Sequence, residues 1–440
     1  MATFHWISIA YPSLDINADS WYNPSLNMVA AEAVVTHIFL FLAFYFEVFL
    51  LVSFLERKLF VKRALVIPTP LNAGAHPHVC IVVPCFNEER TIAHSLESLL
   101  ALSYPKEKLE IAVVDDGSTD KTYEVALRYA HDPRVNVFRK EQGGKHTALN
   151  MVLSHTSAEL IGCLDADSTV DSRALLRIVA AFKNPRIAAV TPGIHVRNPR
   201  TILQHLQRVE YLLGIFNRYA SAGLGSIYIA PGPFSIFRAS TIREVGGWRH
   251  GHSTEDMELG LRLQNTGWII ANDPRAIVHT ITPKNLSALI RQRVRWSYGF
   301  LRNVLDYRHM IGSPTYGNLG LVILPAALLS FGAALFFAVL LVWHFAQSIA
   351  DIISRFLLVG AEPLAPTSLF FFNTSFMWLI VYATIALTVI LISLGSFLST
   401  GERRLPYSTP LFLVFYSLLT PIWLGIALAR AIFNTGVRWR

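Results

Sequence analysis

The residues able to do chemistry are carboxylates that follow short β-branched runs, together with one basic, aromatic stretch near residue 290. Asp165-x-Asp167 closes the run Leu160 to Leu164. Two carboxylates two residues apart can bind one divalent ion, directly or through a water, and magnesium is commonly held by one or two carboxylates plus substrate phosphate oxygens. A solvated acidic loop is the competing reading. Asp115 and Asp116 end the run Leu109 to Val114 ahead of Gly117 and Ser118. Such a turn either offers carboxylates to a base or ribose or satisfies only its own backbone. Glu255 and Asp256 stand at the head of a helical pattern, Asp256 to Asn265. Asp256 can serve there as a general base toward a hydroxyl, while Ser253-x-x-Asp256 also reads as a capping box with Asp replacing Glu. Gly143, Gly144 and Lys145 supply a flexible turn and a point charge suited to a nucleotide phosphate, without a full P-loop pattern.

The stretch Leu289 to Phe300 places Gln292, Arg295 and Trp296 on one helical segment. An amide can hydrogen-bond hydroxyls, a guanidinium can pair with phosphate, and an indole can stack on a sugar face. The plainer alternative is an amphipathic helix whose arginines meet lipid headgroups. His76/His78 and His250/His252 read as loop pairs, because no third ligand stands at a diagnostic metal spacing.

These groups need a scaffold, and strands alternate with helices from Pro77 to about Asp306. Val79 to Pro84 leads into a helix expected from an N-cap at Asn87 through Leu102; Thr122 to His131 is a further helix, and Val135 to Arg139 a further strand. The βαβ alternation predicts a mostly parallel sheet with its ligands at the carboxyl ends of the strands, where the acidic clusters fall. Ile202, Leu206, Val209, Leu213, Phe216 and Tyr219 form one apolar stripe between Thr201 and Tyr219, expected to be an interfacial helix in preference to ordinary core.

With 440 residues, 52% hydrophobic and 15% charged, and a mean hydropathy of +0.41, the chain is too apolar for an ordinary soluble enzyme and reads as a membrane protein. The net charge of +8 suits anionic headgroups or a phosphate-bearing substrate, and its 38 basic residues are too dispersed for a nucleic-acid footprint. Cys80, Cys85 and Cys163 lack CxxC spacing and read as buried thiols in a reducing compartment. Ala33 to Leu55 is long enough to span a bilayer, interrupted only by Glu47, which either faces a polar path or snorkels to the inner interface. Asp15 and Asp19 precede it and Arg57, Lys58, Lys62 and Arg63 follow it, which puts the N-terminus outside. Leu319 to Phe345, Leu369 to Leu398 and Leu411 to Phe433 bring the expected spans to four, and the amphipathic Asp351 to Leu358 segment is also open to an interfacial reading. Strict alternation then leaves Arg438 and Arg440 outside, against the charge rule: either the last segment does not cross, or a few terminal charges fail to set topology.

In order, VVDDGSTD, QGGKHTALN, LDADS, STEDMELGLRLQ and QRVRW, followed by membrane spans, resemble the processive family-2 glycosyltransferases, which include hyaluronan, chitin, cellulose and poly-N-acetylglucosamine synthases. The resemblance covers about residues 78 to 310. It implies an α/β nucleotide-diphospho-sugar transferase domain of GT-A type at 77–284. Around that domain lie an extracytoplasmic segment at 1–32, a first transmembrane helix at 33–55 and a cytoplasmic linker at 56–76. An interfacial helix at 285–310 and a membrane region at 311–440, with about three further spans, complete the layout. It further implies that Asp115 or Asp116 and Lys145 help hold uridine diphosphate, and that Asp165 and Asp167 serve the divalent metal (Mg2+ or Mn2+) and donor phosphate. Asp256, beside Glu255, would be the base, with Gln292, Arg295 and Trp296 bordering the diphosphate and acceptor sugar. Gly232 in IAPGPF falls where related synthases carry an acceptor-binding segment, in wording that departs from cellulose synthases.

The expected function is a plasma (inner) membrane, multi-pass inverting hexosyltransferase with its catalytic domain in the cytoplasm. It would transfer sugar from a UDP-sugar, UDP-N-acetylglucosamine or UDP-glucose, to a growing β-linked polysaccharide and pass the product outward. An accessory export subunit is the protein partner left open. The alternatives are a non-processive transferase adding one sugar to a lipid, and a non-catalytic transporter or pore subunit with a vestigial nucleotide-sugar fold.

Overall fold

A computed structural model describes residues 24–60, 76–360 and 373–435. Asp15, Asp19, Lys62, Arg63, Arg438 and Arg440, with most of the N-terminal segment and of the linker, lie outside the described residues. Close contacts divide the chain into two units: Met1–Val48 with Leu328–Leu387, and Phe49–Ala327 with Thr388–Arg440.

The second unit is built on an eight-stranded sheet: β1 Val79–Cys85, β2 Leu109–Asp115, β3 Val135–Arg139, β4 Leu160–Cys163, β5 Ser168–Val170, β6 Ile187–Val196, β7 Ile236–Arg238 and β8 Ile269–Thr280, in the order β3-β2-β1-β4-β7-β6-β8-β5. Strands β1 to β4 run parallel to one another, β6 and β8 are parallel to each other, and β7 and β5 run against their neighbours. The central strands are apolar on both faces because helices cover both. Ile81, Val83 and Ile111 sit in one core with Ile92 and Leu96, and Val82 and Ala112 sit in the other with Leu149 and Val152. This parallel half brings the ends of β1, β2 and β4 to one edge, with Asp115, Asp116 and Asp165 at or just beyond them.

Some local expectations change. The first helix of this half is Ile92–Leu100, capped at Thr91, and Asn87 is not its N-cap. Asn87 takes φ 56; its amide donates to Ser118 Oγ (2.9 Å) and its side-chain oxygen accepts from the Thr119 amide (2.9 Å). The side chain is used to join the turns after β1 and β2, so it cannot cap a helix. The helix after β2 stops at Leu127 and breaks into turns before β3.

The striped helix is Ile202–Gly223, started by a capping box between Thr201 and Gln204. Its stripe is covered by protein, contrary to the interfacial expectation. Phe54 meets Phe216 and Tyr219 at 5.6 and 6.0 Å, and Val209, Leu212 and Ile215 pack on Ile392. Gly395 allows this approach, since a Cβ there would lie 2.0 Å from the Leu212 carbonyl oxygen. Ile202 alone of the stripe stays well exposed, at 69%.

Among the described residues, four helical stretches are long and apolar enough to cross a membrane: Ala31–Glu56, Leu319–Val359, Phe376–Thr400 and Thr409–Ile432. The first belongs to a helix that continues to Phe60, into the expected linker. Asp351 to Leu358 is the end of the continuous helix Leu324–Val359. In the first unit, Phe39 packs on Phe336 at 5.3 Å and His344 pairs with Glu32 at 2.7 Å.

Candidate active site

The turn after β2 gives its two carboxylates different surroundings. Asp115 is fully buried, pairs with Arg139 Nε at 3.2 Å and accepts from the Ser118 amide at 3.3 Å. Asp116 faces the opposite way: it accepts from the amides of Gly143 (2.9 Å) and Gly144 (2.8 Å) and pairs with Lys140. Asp116 thus folds the Gly-Gly turn beneath itself. Gly144, at φ +91, sits where a side chain would be strained, and the turn opens the helix Lys145–His155.

Lys145 is thereby aimed at the end of β4. Its ammonium lies 2.5 Å from Asp165 Oδ1 and 3.4 Å from Glu255 Oε1. Burial disfavours its charge, yet Asp165 foremost and Glu255 after it raise its pKa well above the ordinary value, so it stays an ammonium. Gly232 closes over this pair: a Cβ at 232 would come 2.3 Å from Lys145 Nζ and 3.1 Å from both Asp165 oxygens. At Gly232 the IAPGPF segment therefore meets the Lys145–Asp165 pair with backbone.

Asp167 accepts from Ser168 Oγ at 3.0 Å, and its pKa is pushed up to about 7, by burial first and by Asp165 and Glu88 next. Two carboxylates that penalise one another's charge suit a divalent cation, which removes that penalty. Among the described residues no three His, Cys, Asp or Glu side chains converge on a metal position. A magnesium- or manganese-type ion on Asp165 and Asp167 would therefore take its remaining ligands from water and substrate oxygens, which fits the two-carboxylate donor set.

The acidic helix is Glu255–Asn265, one residue longer than its pattern suggested, and the expected capping box does not form. Its N-cap is Thr254, whose hydroxyl donates to the Gly251 carbonyl (2.9 Å) and accepts from Asn303 Nδ2 (2.8 Å). Asp256 is pushed up to about 6, by burial and then by Glu255, with Lys145 and Arg295 pulling the other way. His252 pairs with Asp306 at 2.8 Å, the His250 ring lies 5.6 Å from that of His146, and the His76 ring packs on Tyr104 at 5.2 Å.

The helix Leu286–Asp306 is started by Asn285, whose side chain accepts from the Ala288 amide at 2.9 Å. It presses on Thr254 through Gly299, where a Cβ would be 2.2 Å from Thr254 Oγ1. Gln292, Arg295 and Trp296 face one cavity of about 1250 Å³, which Asp116, Lys145, Asp165, Asp167, Glu255 and Asp256 also line. Asp115 does not line it.

Several residues of this cavity carried no motif. Glu210, Tyr211 and Arg218 line it from the polar side of the striped helix, and burial lowers the Arg218 guanidinium to about 10. Arg293 turns away from the cavity, pairing with Glu210 Oε2 at 2.5 Å and donating to the Tyr416 hydroxyl at 3.3 Å. The signal available for Arg218 was its place opposite the apolar stripe.

A mixed sheet whose parallel strands end in carboxylates around one chamber defines a fold of GT-A type. The fold is shared with a mannosyltransferase from Pyrobaculum calidifontis, solved in complex with GDP-Man and Mn2+, at a TM-score of 0.60 and 20% identity over 92% of this chain and 99% of that one. Residues 80–246 match Glycosyl transferase family 2. Its likeness to the poly-N-acetylglucosamine synthases holds at the level of sequence. A poly-beta-1,6-N-acetyl-D-glucosamine synthase of Staphylococcus epidermidis is 33% identical over 274 residues, 60% of this chain and 65% of the relative. The enzyme of the same name from Staphylococcus aureus (strain COL) is 34% identical over 233 residues, 52% and 56% of the two chains. The aligned part thus spans under two thirds of either relative's length.

Proposed function

We propose that this chain is a membrane-embedded, inverting hexosyltransferase that extends a β-linked polysaccharide from a UDP-sugar, with UDP-N-acetylglucosamine as the favoured donor. The observation that carries this reading is the single chamber joining the Lys145–Asp165–Asp167 group to Asp256 and to Gln292, Arg295 and Trp296. The relatives' names favour a β-linked N-acetylglucosamine product.

Lys145 and Arg295 bind and neutralise the donor diphosphate, while Asp116 keeps the Gly143–Gly144 turn closed beneath it. A divalent ion held by Asp165 and Asp167 would supply further charge neutralisation on the diphosphate. Trp296 offers a face for the acceptor sugar, and Gln292 a hydrogen-bonding amide. Asp256 takes the proton of the attacking acceptor hydroxyl as the new C–O bond forms at the anomeric carbon. The bond to the diphosphate oxygen breaks and its electron pair leaves with UDP. One displacement inverts the anomeric carbon, so an α-linked donor yields a β linkage. The sheet domain works on the cytoplasmic side, where UDP-sugars are made, and the product leaves outward, with or without an accessory export subunit.

The test incubates purified protein with Mn2+ and a panel of labelled nucleotide sugars, then sizes and digests the product. A long polymer from UDP-N-acetylglucosamine, cut by β-N-acetylglucosaminidase, is expected. A single-sugar glycolipid would replace this reading with lipid transfer, and no transfer from any donor would overturn it.

A further inference from the structure

The helix Thr409–Ile432 is long and apolar enough to cross a bilayer, but it keeps contact with the sheet-bearing unit along its whole length. Ahead of it, Ser408 Oγ donates to the His205 carbonyl at 3.0 Å. One turn in, Phe412 packs on the core of Val209, Leu212 and Ile215. The Tyr416 hydroxyl then donates to Glu210 at 2.7 Å, and near the far end Ile426 and Arg430 line the same chamber as Asp256 and Gln292. Thr409, Tyr416, Trp423 and Ala427 are buried, a single stripe on one face. Val414, Phe415 and Leu418 on other faces are apolar and about half exposed.

The partner of that stripe is the helix Leu286–Asp306. It carries Arg291, Arg293, Arg295 and Arg302, a load no helix in hydrocarbon tolerates cheaply. At about 1.5 Å per residue, the stretch from Thr409 to Arg430 covers roughly 30 Å, the thickness of a hydrocarbon core. A crossing helix of that length would therefore carry Arg430 to the side opposite Ser408. Arg430 instead faces the chamber of the nucleotide-sugar chemistry.

We infer that Thr409–Ile432 does not cross the bilayer: it lies along the membrane surface, walls the chamber, and puts Arg430 on the substrate side. Its half-exposed apolar faces rest in the headgroup–acyl boundary, as amphipathic surface helices do. Three crossings remain, and the C-terminus returns to the side of Glu402–Arg404. That placement removes the conflict between strict alternation and Arg438 and Arg440. The inference is independent of the sugar and the acceptor.

The test places single cysteines at exposed positions of the full chain, whose own cysteines are buried. Thr435→Cys lies just after the helix, Glu402→Cys in the turn before it and Thr374→Cys before the third span. Each is treated with a membrane-impermeant maleimide in intact cells and in inside-out vesicles. Thr435→Cys is expected to label from the side that labels Glu402→Cys, and Thr374→Cys from the other. Labelling of Thr435→Cys from the side of Thr374→Cys overturns the topology. Arg430→Gln, checked for unchanged folded yield, is expected to cut sugar transfer about tenfold. Unchanged transfer would overturn the placement of Arg430 at the substrate.

Discussion

The Arg293 guanidinium lies 4.2 Å from the centre of the Trp296 ring while it holds Glu210 at 2.5 Å. The aromatic face proposed for the acceptor is thus backed by an ion pair to the striped helix, with Arg293 buried and Glu210 partly exposed, and Tyr416 completes the group by bonding both members. Tyr416→Phe leaves the pair and removes only a hydroxyl. It is expected to lower stability by about 1–2 kcal/mol in denaturant unfolding and to shorten the product at near-normal donor KM. A full-length product would show that Tyr416 does not help to place Trp296.

Asp256 is pushed up to about 6. A base must be deprotonated, and a raised pKa makes that form scarce below pH 6, so kcat/KM should fall with falling pH, approaching tenfold per pH unit below about 6. Asp256→Asn should lose turnover by roughly two to four orders of magnitude while still binding UDP in calorimetry. Turnover within a few-fold of the parent would assign the base elsewhere.

For the metal, Asp167→Asn removes one of two carboxylates. Transfer should fall by roughly two orders of magnitude, with the remaining activity needing more Mn2+ for half-saturation. EDTA should abolish transfer in the parent, and Mn2+ or Mg2+ should restore it. Activity insensitive to chelation would exclude this use of Asp165 and Asp167.

Gly232→Ala tests the backbone contact over Lys145. The added Cβ meets an ammonium pinned between Asp165 and Glu255, so the donor site is expected to distort while the sheet stays intact. Donor KM should rise about tenfold with little change in Tm. A large Tm loss with unchanged KM would make Gly232 a folding residue only.

The strand-end carboxylates were legible because the signal is local: a β-branched run that ends in Asp puts that Asp at the carboxyl edge wherever the strand pairs. The same holds for the apolar stripe of Ile202–Gly223 and for the presence of four apolar helices among the described residues, though not for their ends, since the second runs on to Val359. The tertiary structure decided which partner each group meets. Asp115 and Asp116 are adjacent and chemically alike, and only the packing of Arg139 against one and the Gly143–Gly144 turn against the other separates them. Gln292 and Arg295 face the chamber while Arg293, one step along the same helix, faces Glu210, 83 residues earlier, and Tyr416, 123 residues later. Periodicity fixes which residues share a face; it does not say what that face meets. The stripe expected in lipid is therefore covered by Phe54 and Ile392, and the helix from Thr409, apolar enough to span, follows the catalytic domain.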